Sequence, residues 1–381
     1  MGYNGEISNP LGTDNFLQLF DKSDIDETCQ IINDIYNKLI DELKEDSIKK
    51  FTKYNNSHKL ITVSVDGGNQ EIFKNFKEIS SSIIIVNSKS DDLKETIEPF
   101  RLALQYRNFF PKLYSFLNKN NQEKIKQNID IEKEAENIFK NDYIKNFMEK
   151  TEITSKDIGT ASFLNLQTFT GIIRDIMEWA YIVELVDKYK YIKAVIVKDG
   201  RLAQSGVETT FINKLKNYFQ KNKAYVVGLL KRNAVFDDGL ASMIILSWIE
   251  TMNESFYFKV PHGIMDYVYS NKRQWDHSVD NSKVFGVRYF GRLYGKCFNP
   301  FQSMIAFDIP YYLESNDKEI HDIVGTIFSH KSVLYDGSIS VVSESHIKSS
   351  IAHTVVKQIE NELLNKVDSK IIKNTIKYLI K

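Results

Sequence analysis

Two stretches of this chain place an acid at the end of an apolar, β-branched run: "ITVSVDGG" (61–68) and "AVIVKDG" (194–200). Glycine after the acid lets the backbone turn sharply and leaves the carboxylate exposed at a sheet edge. Either Asp-Gly pair alone reads as an ordinary turn. Two of them suggest more, because neighbouring strands of one sheet would bring Asp66 and Asp199 to a single edge. Like charges that close repel, and a divalent cation is the natural compensation. A third acid, Glu178, lies in a helical pattern ahead of Asp199, with Asp175 and Glu184 as alternatives on the same helix. Arg174 stands four residues before Glu178, so an intrahelical ion pair worth about 0.2–0.5 kcal/mol competes with the ligand reading. Hard oxygen donors suit Mg²⁺ or Mn²⁺, and two such ions can activate a water and stabilise the leaving oxygen of a phosphodiester.

The elements that must position these groups follow from hydrophobic period. Residues 12–50 carry helical periodicity, with Ile31, Ile32, Ile35, Leu39, Ile40 and Leu43 on one face. Two β-branched runs, 61–65 and 80–88, predict an antiparallel hairpin with a long loop or an extra strand around 71–76. Residues 117–150 are heavily charged with sparse apolar positions. They read as a solvated helix or surface insertion, or else as a helical arm that meets a partner subunit. A long helix over about 162–189 leads into the strand that ends at Asp199. A helix over 208–221 and a strand over 224–233 follow, and strand, helix, strand in that order imply parallel pairing. A helix around 239–252 precedes three aromatic β-rich runs, and the last section is helical. The element order implies a single α/β domain with helical insertions. The expected division is an N-terminal helical segment (1–55), a central α/β domain (56–365) and a C-terminal helical tail (366–381).

Composition excludes little. Lys plus Arg and Asp plus Glu number 50 each, so net charge points to no polyanionic partner, although local patches still could. Cys29 and Cys297 lack the spacing of a zinc module or a disulfide framework. No apolar stretch reaches the roughly 18 residues of a membrane span, and "MGYNGEISNP" lacks the features of a signal peptide, so a cytoplasmic location is expected. Glu6 stands where a myristoylation signal needs Ser or Thr.

The order of these elements resembles the NurA nuclease family: a strand ending in Asp-Gly, a helical glutamate, a central strand ending in Asp-Gly, and a C-terminal helix with a histidine. The resemblance covers about residues 60–365. It implies an α/β fold with an RNase H-like mixed sheet flanked by helices, makes 56–365 a nuclease domain, and implies action on DNA ends with Mn²⁺ or Mg²⁺. It assigns Asp66 in "VSVDGG", Glu178 in "RDIMEW" and Asp199 in "VKDGRL" as metal ligands. Lys231 in "VVGLLKRN" would neutralise the charge of the scissile phosphate. "IKSSIAHTVV" favours His353 over His346 as the functional histidine, to complete the metal site, move a proton or orient substrate. Two departures stand out. Gly68 replaces a small hydroxyl residue, and the proline-containing approach to the C-terminal histidine is missing.

Lys272, Arg273, Arg288 and Arg292 alternate with aromatic residues in "YSNKRQWDHS" and "VRYFGRLYGK". Such interleaving suits single-stranded nucleic acid, with rings on bases and cations on phosphates; an amphipathic hairpin with one core face would look the same. The resemblance further implies a homodimer beside a HerA-type hexameric ATPase, in DNA-end resection or antiphage defence. The chain itself has no G-x-x-x-x-G-K-[ST] phosphate loop, so any motor must come from a partner. Competing readings are a non-catalytic RNase H-like scaffold that regulates an ATPase, and a related enzyme acting on RNA or an RNA–DNA hybrid.

Overall fold

A computed structural model describes residues 22–43, 52–53, 60–74, 81–91, 97–105, 138–158, 166–230, 245, 255–260, 283–292, 304–330, 339–351, 353–366 and 368–379. Its helices are α1 (Lys22–Leu43), α2 (Asp142–Thr151), α3 (Leu166–Tyr189), α4 (Thr209–Lys221), α5 (Asp317–Ser329), α6 (Ser340–Ser349), α7 (His353–Asn365) and α8 (Lys370–Leu379). Its strands are β1 (Thr52–Lys53), β2 (Ile61–Ile72), β3 (Ser81–Ser90), β4 (Phe100–Gln105), β5 (Ala194–Asp199), β6 (Tyr225–Leu230), β7 (Phe256–Lys259), β8 (Gly286–Arg292) and β9 (Met304–Pro310).

The strands form one mixed sheet in the order β1-β7-β8-β9-β6-β5-β2-β3-β4. The segment β4-β3-β2-β5-β6 is an antiparallel meander followed by two parallel strands. That is the RNase H-like arrangement. The parallel strands β5 and β6 are buried almost throughout, as expected when helices cover both faces. β3 instead alternates between buried and half-buried positions, with one face only partly covered.

Side-chain alternation divides the core in two. Val63, Val65, Ile196 and Val226 face α3, whose Ile173, Ile176 and Met177 are fully buried. Val195, Val197, Val227, Ile305 and Phe307 face α5 and α6. The charged segment predicted at 117–150 is more than surface. Its end folds into α2, where Ile144 and Phe147, three residues apart, are buried in the α3-side core. Residues 106–137 lie outside the described set. In α1 the predicted apolar positions Ile31 and Ile32 are exposed.

The structure corrects one reading of the first strand. β2 does not end at Asp66-Gly67 but runs on to Ile72, pairing Gly67 with Val86 and Gly68 with Ile85. The antiparallel partner β3 holds the backbone extended through a sequence that reads as a turn. β5 does stop where expected, and Gly200 adopts φ +107°, a conformation that glycine adopts without steric penalty. Among the described residues no helix is long and apolar enough to cross a membrane.

Candidate metal centre at the ends of the parallel strands

β2 and β5 run parallel with Val65 opposite Lys198, so Asp66 and Asp199 follow side by side at the end of the ladder. Thr62, Ser64 and Asp66 point to the face covered by α6, and the Ser64 hydroxyl donates to the Val341 carbonyl at the start of that helix. This anchor fixes the path of α6, which then sets two residues, three apart, against Asp66. His346 Nδ1 lies 2.7 Å from Asp66 Oδ2, and the Ser349 hydroxyl donates to the same oxygen at 2.8 Å. Asp66 is 6% exposed, whereas the His346 side chain is 60% exposed and open to solvent. Asp66, Asp199 and His346 each bring one ligand atom to within 4.8 Å of the others, and no other such trio occurs among the described residues.

Gly68 has a steric reason. A Cβ there would lie 2.2 Å from the backbone oxygen of Ser349, so glycine is what allows the end of α6 to touch β2. Gly67 serves the opposite face. A Cβ there would lie 2.6 Å from Glu178 Oε1 and 2.9 Å from Arg174 Cγ. Gly67 is therefore a site of close helix approach rather than a turn residue.

Glu178 reaches the strand ends from α3 and is buried. Its Oε2 lies 2.6 Å from Lys198 Nζ, and its Oε1 lies 3.7 Å from Arg174 Nε. Burial pushes the Glu178 carboxyl up to about 7, against the opposing pull of the Lys198 ammonium. Burial, the largest single influence on Lys198, would lower it, but the charges of Glu178 and Asp175 and the hydrogen bond to Glu178 together hold the ammonium above its ordinary range. Arg174 also binds Asp175 Oδ1 through Nε (3.1 Å) and a terminal nitrogen (2.8 Å), and reaches Asn69 Oδ1 at 3.3 Å. The competing expectation of an Arg174–Glu178 ion pair is thus present, but Lys198 is the nearer cation. Asp66, Glu178, Lys198, Asp199, Arg201 and His346 line one open cleft of about 390 Å³.

Of the remaining predicted residues, those that the structure describes lie elsewhere. His353 is exposed at the start of α7 and joins no cluster of ligand atoms among the described residues; the histidine against Asp66 is His346. Arg288 is 5% exposed and pairs with Asp308, whose Oδ2 also accepts from the Leu202 backbone N–H at 3.1 Å. Its guanidinium is used internally to brace the turn after β5 and is not offered to nucleic acid. β8 is buried along nearly all its length, which is why an arginine within it needs a buried acid. Arg292 ends β8 half-buried. Lys231, Lys272 and Arg273 lie outside the described residues. Gly228 in "VVGLLKRN" has its own purpose, since a Cβ there would strike the Gly200 carbonyl at 2.6 Å.

Lys198, Arg201 and Ser349 belong to the site but are absent from the set that sequence reasoning selects, and His346 stands there only behind His353. Lys198 has a legible signal, because a lysine inside an apolar central strand requires a buried partner. Ser349 has none until α6 is placed.

The fold and this cluster define an RNase H-like α/β protein with two carboxylates and an imidazole converging at its parallel strand ends. No protein-family model and no curated protein matches the chain. Among solved structures, it is similar to the NurA nuclease from Sulfolobus solfataricus, with 12% identity and a TM-score of 0.40, covering 92% of this chain and 99% of that one. A structure of NurA bound to dAMP and manganese matches with 11% identity and a TM-score of 0.38, over 92% and 98% of the two chains. Endonuclease V from Ciona intestinalis, in complex with an inosine-containing DNA, matches with 10% identity and a TM-score of 0.31, over 90% and 100%.

Proposed function

We propose that the protein is a divalent-metal-dependent nuclease that processes DNA ends and also cuts single strands. The observation that carries this reading is the convergence of Asp66, Asp199 and His346 within 4.8 Å in the lining of an open cleft. Two acidic oxygens and one imidazole nitrogen fit a six-coordinate cation, and the imidazole favours Mn²⁺ over Mg²⁺. Such an ion, held by Asp66 and Asp199 with His346 beside them, would supply Lewis acidity toward a phosphodiester and a nucleophile at neutral pH.

The chain's own groups have separable tasks. Ser349 donates to Asp66 Oδ2 and keeps that carboxylate from rotating away from Asp199. With Nδ1 against Asp66, His346 has Nε2 left to ligate the cation or to meet a substrate oxygen. Glu178, with its raised carboxyl, is poised to join the ligand set or to exchange a proton near neutrality, while Lys198 offsets its charge when it ionises. Lys231, Lys272, Arg273 and Arg292 remain proposed contacts for nucleic acid phosphates.

The wider assignment rests on the motif resemblance: a homodimer that receives DNA from a HerA-type ATPase during end resection or antiphage defence. The test is digestion of end-labelled single-stranded and blunt-ended DNA with Mn²⁺, alone and with the ATPase added. The wild type should shorten the DNA, and Asp66→Ala or Asp199→Ala should abolish this. Cleavage that survives both substitutions removes the site assignment. No cleavage by wild type, with or without the ATPase, favours a scaffold.

A further inference from the structure

At the opposite end of β5 lies a second cavity, of about 420 Å³, within the range of small-ligand sites. It is built from the two helix-to-strand connections that precede β5 and β6. Their sequences are unusual for tight connections. Residues 190–193 read Lys-Tyr-Ile-Lys, with none of the Gly, Asn, Asp or Pro that ordinarily make such turns. Tyr191 is 88% exposed and Ile192 53% exposed. In the second connection Lys223 holds φ +49° at the left-handed position closing α4, which glycine would occupy without penalty and where other residues lose about 1 kcal/mol.

The chemistry of the walls is consistent. Lys190, Lys193 and Lys223 face one acid, Glu319, and that acid already accepts the Tyr225 hydroxyl at 2.8 Å. None of the three lysines makes an ion pair with a described residue. Lys190 Nζ lies 4.8 Å from the Tyr191 ring centroid, and Lys193 Nζ lies 5.7 Å from that of Tyr225. Cations around one accessible ring, that of Tyr191, and a cavity of nucleotide size match a ligand that carries both a flat base and a phosphate.

We propose that this cavity binds a nucleotide unit, with the base stacked on Tyr191 and the phosphate held by Lys190, Lys193 and Lys223. The unit comes either from a single strand or from a free nucleotide. The site is distinct from the cleft, because the five residue steps of β5 from Ala194 to Asp199 span roughly 17 Å. It does not depend on the chemistry proposed there.

The test uses the full chain in EDTA, so that hydrolysis cannot intervene. Binding of a fluorescent oligothymidylate is followed by anisotropy across a salt series. Tyr191→Ala should weaken binding roughly tenfold, the loss expected for one stacked base. Lys190→Ala with Lys193→Ala should reduce the salt slope by about 0.7 for each phosphate that is no longer neutralised. All three side chains are exposed, so unchanged melting curves will show that the fold is intact. An oligomer carrying 5-bromodeoxyuridine should photo-crosslink to the peptide containing residues 190–193. Competition by a mononucleotide assigns the cavity to free nucleotides, and its failure assigns it to a strand; both keep the proposal. Unchanged affinity and salt slope in the variants, or crosslinks only to the cleft, would overturn it.

Discussion

Gly67→Ala is a one-methyl perturbation whose consequences the structure sets in advance. Gly67 is in ordinary extended backbone, so alanine meets no conformational obstacle there, and strand propensity alone would favour the change. The obstacle is Glu178. The added Cβ would lie 2.6 Å from Oε1, about 0.8 Å inside the 3.4 Å at which ordinary van der Waals contact begins, and 2.9 Å from Arg174 Cγ. Glu178 cannot swing aside freely, because Lys198 holds its other oxygen at 2.6 Å and the flanking Met177 and Trp179 are fully buried. Overpacking of this kind costs about 1–3 kcal/mol. A carboxylate displaced by most of an ångström should lower turnover in the proposed nuclease reaction by roughly 100-fold. Urea unfolding and a DNA digestion assay measure the two effects. Gly171→Ala is the control: a Cβ there meets nothing within 4 Å, so removing a helix-interior glycine should stabilise by about 0.5–1 kcal/mol and leave activity alone. If Gly67→Ala matches wild type in stability and activity, then Glu178 does not press on β2 and the placement of this carboxylate is refuted.

Three further outcomes are expected. Lys198→Met leaves Glu178 buried without its nearest cation and should destabilise by about 3–5 kcal/mol in urea unfolding, with part of the loss recovered when Glu178→Gln is added; full additivity would contradict a coupled pair. Gly68→Ala should destabilise more than Gly67→Ala, because the atom it strikes is the Ser349 backbone oxygen, and equal melting temperatures would show that α6 does not touch β2 there. Asp157 joins the start of α4 to the turn after α2, accepting from Thr154, Thr210 and Lys214; burial opposes ionisation, but these partners hold its carboxyl down at about 2. Because the folded value is depressed, its contribution is present above the usual carboxylate range and fades as pH falls through about 2. Asp157→Asn should therefore cost about 1–3 kcal/mol at pH 7 and progressively less in acid, whereas a pH-independent difference would contradict the ionic role.

The parts legible in the sequence are those that local pattern controls. The β5 run of apolar residues broken by Asp-Gly gave the strand, its end and its acid. The order of that strand, α4 and β6 gave the parallel pairing. The continuation of β2 was not legible, because "DGG" is turn-like and only its pairing with β3 keeps it extended. The same limit hid the histidine: His346 and His353 are both helical in sequence, and long-range contacts of α6 with β2, among them the Ser64–Val341 bond across 277 positions, bring the first of them to Asp66. Arg288 misled for a related reason. Basic and aromatic alternation looks like a nucleic-acid surface, yet with β7 and β9 on either side the strand is interior and its charge pairs with Asp308. In α2 the abundant lysines and asparagines masked Ile144 and Phe147, whose burial depends on α3 and α4 rather than on local composition.

The most direct measurement of the central claim is a calorimetric Mn²⁺ titration of the wild type beside Asp66→Asn, Asp199→Asn, His346→Ala and His353→Ala. The geometry predicts saturable binding by the wild type, at least tenfold weaker affinity in the first three variants and an unchanged isotherm in His353→Ala. Wild-type affinity in both aspartate variants, or a loss confined to His353→Ala, would contradict the placement of the metal centre.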